Sequence, residues 1–263
     1  MIMSFFKRMQ FWLLGLALLA SSAVPAWADS PVVAGAADLK FALEEIAARF
    51  RDDGKGEVKL VFGSSGNFYR QIEQNAPFQM FLSADEGFVF KLADAGKTMD
   101  RGELYAVGRI GIIVPHGSPL KADGEFKDLA TALTDGRLKK FAIANPEHAP
   151  YGKRAEEALK HAELWERIKD KLVLGENVSQ TAQFATSGST QGGIIAYSLA
   201  KAPAVAKLGD FALIPDTWHE PLKQRMVLLK GAGETTQTFY RYMQQPAARA
   251  IMKKYGFLLP GEL

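Results

Sequence analysis

Past residue 30, short β-branched runs alternate with longer amphipathic ones. Residues 31–36 predict a strand, after which Leu39, Ala42, Leu43, Ile46, Ala47 and Phe50 recur at helical spacing. Residues 57–63 (EVKLVFG) predict a second strand, and 67–74 a helix with Phe68 and Ile72 four apart. A strand at 78–83 and a helix at 88–95 complete three strand-helix units, the signature of a parallel sheet flanked by helices. A second block opens with one long apolar strand, 105–115 (YAVGRIGIIVP). Helix 126–133, strand 141–144, helix 152–162, strand 172–174, helix 180–186 and strand 194–197 follow. Strands at 211–214 and 226–229 lead into a helical segment, 235–254, which Pro246 breaks or kinks.

No internal repeat, low-complexity tract or flexible linker separates the blocks. They predict an α/β chain of two lobes, each a mainly parallel sheet flanked by helices. The expected boundaries are residues 29–108 plus 224–263 for lobe 1 and 109–223 for lobe 2. Strand ends and helix starts then surround a central cleft, where open α/β sheets bind ligands.

The first 28 residues are excluded from this reading. Lys7 and Arg8 precede an uncharged run, FWLLGLALLA, and Ala26-Trp27-Ala28 is a small-x-small cleavage site. This is the pattern of a secretory signal peptide, and the run is shorter than the roughly 20 residues that span a bilayer. A cut after Ala28 leaves 235 of the 263 residues and lowers the net charge from +3 to +1, because Lys7 and Arg8 leave with no acid. The chain has no cysteine, which excludes disulfides, thiolate metal sites, a cysteine nucleophile and a lipid anchor on an N-terminal cysteine. The expectation is a free protein of the periplasm. Acids and bases are interleaved, and no basic stripe suited to a phosphate backbone is present, so nucleic acid is not an expected partner.

Three segments combine small and hydroxyl residues where a strand should hand over to a helix. They are residues 34–39 (AGAADL), 62–67 (FGSSGN) and 145–152 (NPEHAPYG). Small residues let backbone approach a ligand, and helix N-termini offer unpaired N–H groups with partial positive charge. Ser64, Ser65 and Tyr151 add hydroxyl donors. Each segment alone reads first as an ordinary helix cap, worth about 1 kcal/mol. Together in one cleft they would hold a small anion without a formal positive charge.

These stretches also carry a resemblance. AGAADLKFALEEIAARF, FGSSGNFYRQIEQNAPFQMFLSADE, FAIANPEHAPYGKRAEEAL, GENVSQTAQFATSGSTQGGIIA and FYRYMQQPAARAIMKKYGF resemble the periplasmic molybdate-binding proteins of ABC importers, over nearly all of the chain past the leader. The resemblance implies the two-lobed periplasmic-binding-protein fold, an interlobe site for molybdate or tungstate, no cofactor or cation ligands, a monomer, and delivery to an inner-membrane permease. It implies that Ser65 donates its hydroxyl and N–H, that Val178 in GENV gives a backbone N–H, and that Tyr151 in APYG gives its phenol. One branch of the family has its tyrosine near residues 193–197. Ala196 stands at that position here, which makes Tyr151 the consistent choice and Tyr197 core or rim.

The fourth position departs from the family, which has serine or asparagine where this chain has Asp38. An ionised carboxylate has no proton to donate and repels a dianion. Two unit charges about 4 Å apart repel by about 4 kcal/mol at an effective dielectric of roughly 20, and a dianion doubles that. Micromolar affinity amounts to only about 8 kcal/mol. Three resolutions stay open: Asp38 is protonated in the complex, it turns away to cap its helix, or the cargo is another oxyanion or a small carboxylate. Lys40 and Arg154 are nearby candidates to offset the charge.

Little points to catalysis. His116, His148, His161 and His219 are scattered without metal-pair spacing, and no G-x-S-x-G, Walker loop or dinucleotide fingerprint occurs. A secreted hydrolase using Ser65 is the reading from another class, and Ser65 has no candidate base near it in sequence.

Overall fold

The computed structural model describes residues 30–261, so the signal-peptide segment lies outside the described residues. Its strands are β1 (Val32–Ala36), β2 (Lys59–Gly63), β3 (Met80–Ser83), β4 (Glu103–Gly108), β5 (Ile110–Pro115), β6 (Phe141–Ala144), β7 (Leu172–Gly175), β8 (Gly193–Ala196), β9 (Gly209–Leu213) and β10 (Leu222–Leu228). Between them lie α1 (Lys40–Asp52), α2 (Ser65–Glu73), α3 (Glu86–Asp94), α4 (Lys127–Thr134), α5 (Pro150–His161), α6 (Trp165–Ile168), α7 (Val178–Thr186), α8 (Tyr197–Ala200) and α9 (Pro203–Ala206), and α10 (Glu234–Tyr242) and α11 (Pro246–Lys254) follow.

Among the described residues the strands form two five-stranded sheets on one plan. The first has the order β2-β1-β3-β10-β4 and the second β7-β6-β8-β5-β9. In each, only the fourth strand runs against the rest: β10 is antiparallel to β3 and β4, and β5 to β8 and β9. β1 pairs in parallel with β2 and β3, as β6 does with β7 and β8. The result is an α/β fold of two mainly parallel units.

The predicted single strand 105–115 is in fact two. β4 ends at Gly108 and pairs with β10 in the first sheet, whereas β5 starts at Ile110 and pairs with β8 and β9 in the second. Both halves are buried among apolar neighbours, so the hydropathy runs on unbroken through a change of sheet. Near the end of the chain, Pro246 opens α11 rather than kinking a longer helix, the first-turn position where a missing N–H costs nothing.

The apolar stripe of α1 (Ala42, Leu43, Ile46, Phe50) is buried on the first sheet with residues from α10 and α11. The Phe50 ring meets Phe239 and Tyr242 edge-on at 5.0 and 5.3 Å, pair geometries worth about 0.5–1.5 kcal/mol each. These contacts tie the end of the chain to the unit that contains its beginning. A second apolar cluster around Phe126, Phe141, Ile143 and Leu159 forms the core of the other unit. Phe68 of α2 packs edge-on against Phe78 and Phe81 in a third apolar cluster.

Candidate functional site

The carboxyl ends of β1, β2 and β3 face those of β6 and β7 across a cavity of about 190 Å³. Only about 10 Å³ of that space is open to the centre of a water-sized sphere, so the site suits a ligand of a few atoms. Asp38, Ser65, Tyr151 and Val178 all line it, together with Ser64, Asn177 and the small residues Ala36, Gly63 and Ala84.

Three helix starts supply most of the wall. α2 begins at Ser65 after the extended N-cap Ser64, and α5 at Pro150 after the extended Ala149. α7 begins at Val178, and its N-cap Asn177 accepts from the N–H groups of Ser179 and Gln180 through its side chain. The first N–H groups of a helix have no intrahelical acceptor and carry partial positive charge. Pro150 has none, and those of Gly66, Ser179 and Gln180 are bonded within the protein. The first-position N–H groups of α2 and α7, with the positive ends of the three helices, are therefore what favours an anion. Ser65 is fully buried, and its Oγ accepts from the Ala84 N–H at 2.9 Å, which leaves the hydroxyl proton to be donated.

Asp38 does not cap a helix. It lies in a three-residue 3-10 turn between β1 and α1, and neither the turn nor α1 has a side-chain cap bond. Its carboxyl is 1% exposed, and Oδ2 accepts from the Tyr151 phenol at 2.9 Å and from Gln224 Nε2 at 2.7 Å. Gln224 Nε2 also reaches the Tyr151 oxygen at 3.0 Å, and the Tyr105 phenol donates to Gln224 Oε1 at 2.7 Å. The Tyr151 proton expected to reach a ligand is therefore given to Asp38 in this structure.

Burial is the main cause that pushes the Asp38 carboxyl up to about 6, with the bonds from Gln224 and Tyr151 acting against it. Burial and the facing Asp38 hold the Tyr105 and Tyr151 phenols well above their usual range. Neither Lys40 nor Arg154 is among the causes acting on Asp38; Arg154 pairs instead with Glu157 at 2.6 Å and Asp85 at 3.4 Å. Gly108 makes room for the group, since a Cβ there would stand 2.3 Å from the Tyr151 hydroxyl and 2.7 Å from Gln224 Nε2.

The rim is laced from one unit to the other. Gly66 N–H donates to the His148 carbonyl at 2.9 Å, Ser198 Oγ to the Asp38 carbonyl at 2.8 Å, and the Asn67 amide to Glu176. A Cβ on Gly66 would lie 2.6 Å from the His148 carbonyl oxygen, so this approach needs glycine. Ser64 Oγ and His148 Nδ1 are 2.9 Å apart, and His148 Nε2 is 3.6 Å from Glu176. The imidazole thus sits beside Ser64, not beside Ser65.

Sequence reasoning missed Gln224, Tyr105 and the pairing of Ser64 with His148. Gln224 had a signal: in β10 it holds an inward position between Leu222 and Met226, where alternation calls for an apolar residue. Tyr105 and His148 had none, because their partners lie far away along the chain.

Residues 31–258 match the family described as bacterial extracellular solute-binding protein. The molybdate-binding protein ModA of Rhodobacter capsulatus is 34% identical over 247 residues, covering 92% of this chain and 94% of that protein. The protein of the same name from Azotobacter vinelandii is 34% identical, covering 93% and 94%. The solved structure of the Azotobacter vinelandii periplasmic molybdate-binding protein superposes with a TM-score of 0.79 at 29% identity, covering 88% of this chain and 100% of that one. On the extent of these matches and the two-unit fold that they share, the chain belongs to the bacterial extracellular solute-binding proteins.

Proposed function

We infer that this chain captures a small oxyanion between its two lobes and delivers it to an ABC importer. The observation that carries this reading is the meeting of three helix N-termini and the Ser65 hydroxyl around one small cavity. Molybdate is the first cargo to test, because it is named for the relatives that match nearly the whole chain, and tungstate is the second. Ser65 and Val178 give the ligand direct donors, while Asp38 and Tyr151 form the opposing wall. The lobes are taken as residues 29–108 with 224–263, and 109–223. The ligand draws them together about the crossings near Arg109 and residues 214–221, and the bonds between Gly66 and His148 and between Asn67 and Glu176 belong to the closed form. The protein works as a periplasmic monomer without a cofactor, and its closed shape is what the inner-membrane permease recognises.

The same fold with another oxyanion or a small carboxylate is the second reading, and the carboxyl of Asp38 on the cavity wall favours it. Calorimetric titration of the ligand-stripped protein with molybdate, tungstate and sulfate tests both. Submicromolar binding of molybdate or tungstate without sulfate supports the first, and no heat from any of the three moves the cargo elsewhere. A hydrolase through Ser65 is disfavoured, because its Oγ faces the Ala84 N–H and the nearby imidazole bonds its neighbour.

A further inference from the structure

Asp38 is out of character with the rest of the cavity. Its neighbours offer N–H groups, hydroxyls or alkyl surface, whereas Asp38 brings a buried carboxyl whose two oxygens are treated differently. Oδ2 is filled by the Tyr151 phenol and the Gln224 amide. The amide cannot be turned the other way without cost, because its own oxygen receives the Tyr105 proton at 2.7 Å. Both inward donors are therefore directed at Oδ2. Oδ1 is enclosed and has no hydrogen-bond partner among the described residues. A buried polar oxygen left without a partner is costly, and the candidate ligand is the group missing from it.

Resting on the oxyanion reading above, we propose that Asp38 and the bound oxyanion share one proton, held between Oδ1 and a ligand oxygen. Capture of a dianion then takes one proton from solvent, and the carboxyl becomes a hydrogen-bond partner where a bare carboxylate would repel the cargo. The only bond made is one O–H, and the complex carries one negative charge less than the sum of dianion and carboxylate. With the carboxyl already pushed up to about 6 by burial, the proton is readily taken near neutral pH.

The surroundings offer no competing ionisable group at Oδ1. Tyr151 from α5 and Tyr105 from β4 are phenols held above their usual range. α7, packed on the same turn, has no ionisable side chain, and α8 contributes Ser198 through its bond to the Asp38 carbonyl and Tyr197 as its ionisable residue. Lys59 of β2 sits at the far end of that strand, opposite Val32. Arg225 of β10 is held by Glu86, and Arg154 of α5 by Asp85 and Glu157. Lys40 opens α1 two residues beyond Asp38. At the rim the titratable groups are His148, which contacts Ser64, and Glu176 beside it.

The test is calorimetry of the intact chain with molybdate, a full dianion from pH 7 to 9, in buffers of different ionisation enthalpy. The expected result is uptake of about one proton per anion bound, with affinity falling about tenfold per pH unit. Asp38→Asn, which keeps the shape and donates from an amide, should bind with no uptake and a flat pH profile. His148→Gln, whatever it does to affinity, should leave the proton count at about one. Tight binding by the unaltered chain without proton uptake overturns the proposal while leaving the oxyanion reading intact, as does uptake that persists in Asp38→Asn or vanishes in His148→Gln. Absence of binding to molybdate, tungstate and sulfate overturns the oxyanion reading itself, and the shared proton with it.

Discussion

Replacing Asp38 with asparagine keeps the side-chain shape and both bonds to the carboxyl oxygen that faces Tyr151 and Gln224, but removes a buried charge. The carboxyl is raised from 3.8 to about 6, chiefly by burial, a change of about two pKa units. At 1.36 kcal/mol per unit this amounts to about 3 kcal/mol of disfavoured ionisation in the ligand-free protein. The sign follows from the raised value. The folded chain holds a proton that the unfolded chain releases, so the contribution to stability is fully present below pH 3.8 and is lost as pH rises through about 6. Asparagine has no such loss. Ligand-free Asp38→Asn should therefore match the parent near pH 4 and exceed it by up to about 3 kcal/mol above pH 7, or roughly 6–12 °C in Tm for a chain of this size. The partner missing at Oδ1 is missing equally for the amide, so that penalty largely cancels. Thermal and urea unfolding at pH 4, 5.5 and 7.5 are the assays. A variant less stable than the parent at pH 7.5, or a difference that does not change with pH, would refute the buried-charge account.

Other expectations concern the donors and the closure. Val178→Pro removes one N–H at the first position of α7, where proline is accommodated after the extended Asn177. It should weaken oxyanion binding about 10–100-fold, the worth of a hydrogen bond to a charged group, with Tm little changed; calorimetry and thermal unfolding check both. Ser65→Ala should weaken binding by a similar factor, and should also lower Tm by a few degrees because the Ala84 N–H loses its acceptor. Gly66→Ala places a methyl 2.6 Å from the His148 carbonyl and should hold the lobes apart. Small-angle scattering of the ligand-saturated variant should show a larger radius than the parent, with affinity reduced at least tenfold. An unchanged radius would mean that this contact does not control closure.

Much of this protein was legible along the chain because periodicity and capping act over only a few residues. The stripe of Ala42, Leu43, Ile46 and Phe50 and the run of small residues before α2 declare themselves locally. The residues expected at the site do line one cavity, since each lies where a strand gives way to a helix and parallel sheets gather such ends on one side. What tertiary structure alone decided involves partners remote in sequence. The apolar run through Tyr105 to Pro115 divides between two sheets, because hydropathy reports burial and is blind to which sheet provides it. Asp38 meets Tyr151 and Gln224 at separations of 113 and 186 residues, and only that encounter makes it a buried carboxyl with one oxygen filled and the other enclosed without a partner. Charge state is set by solvent access and by the donors within hydrogen-bond reach, and no local pattern of residues encodes either.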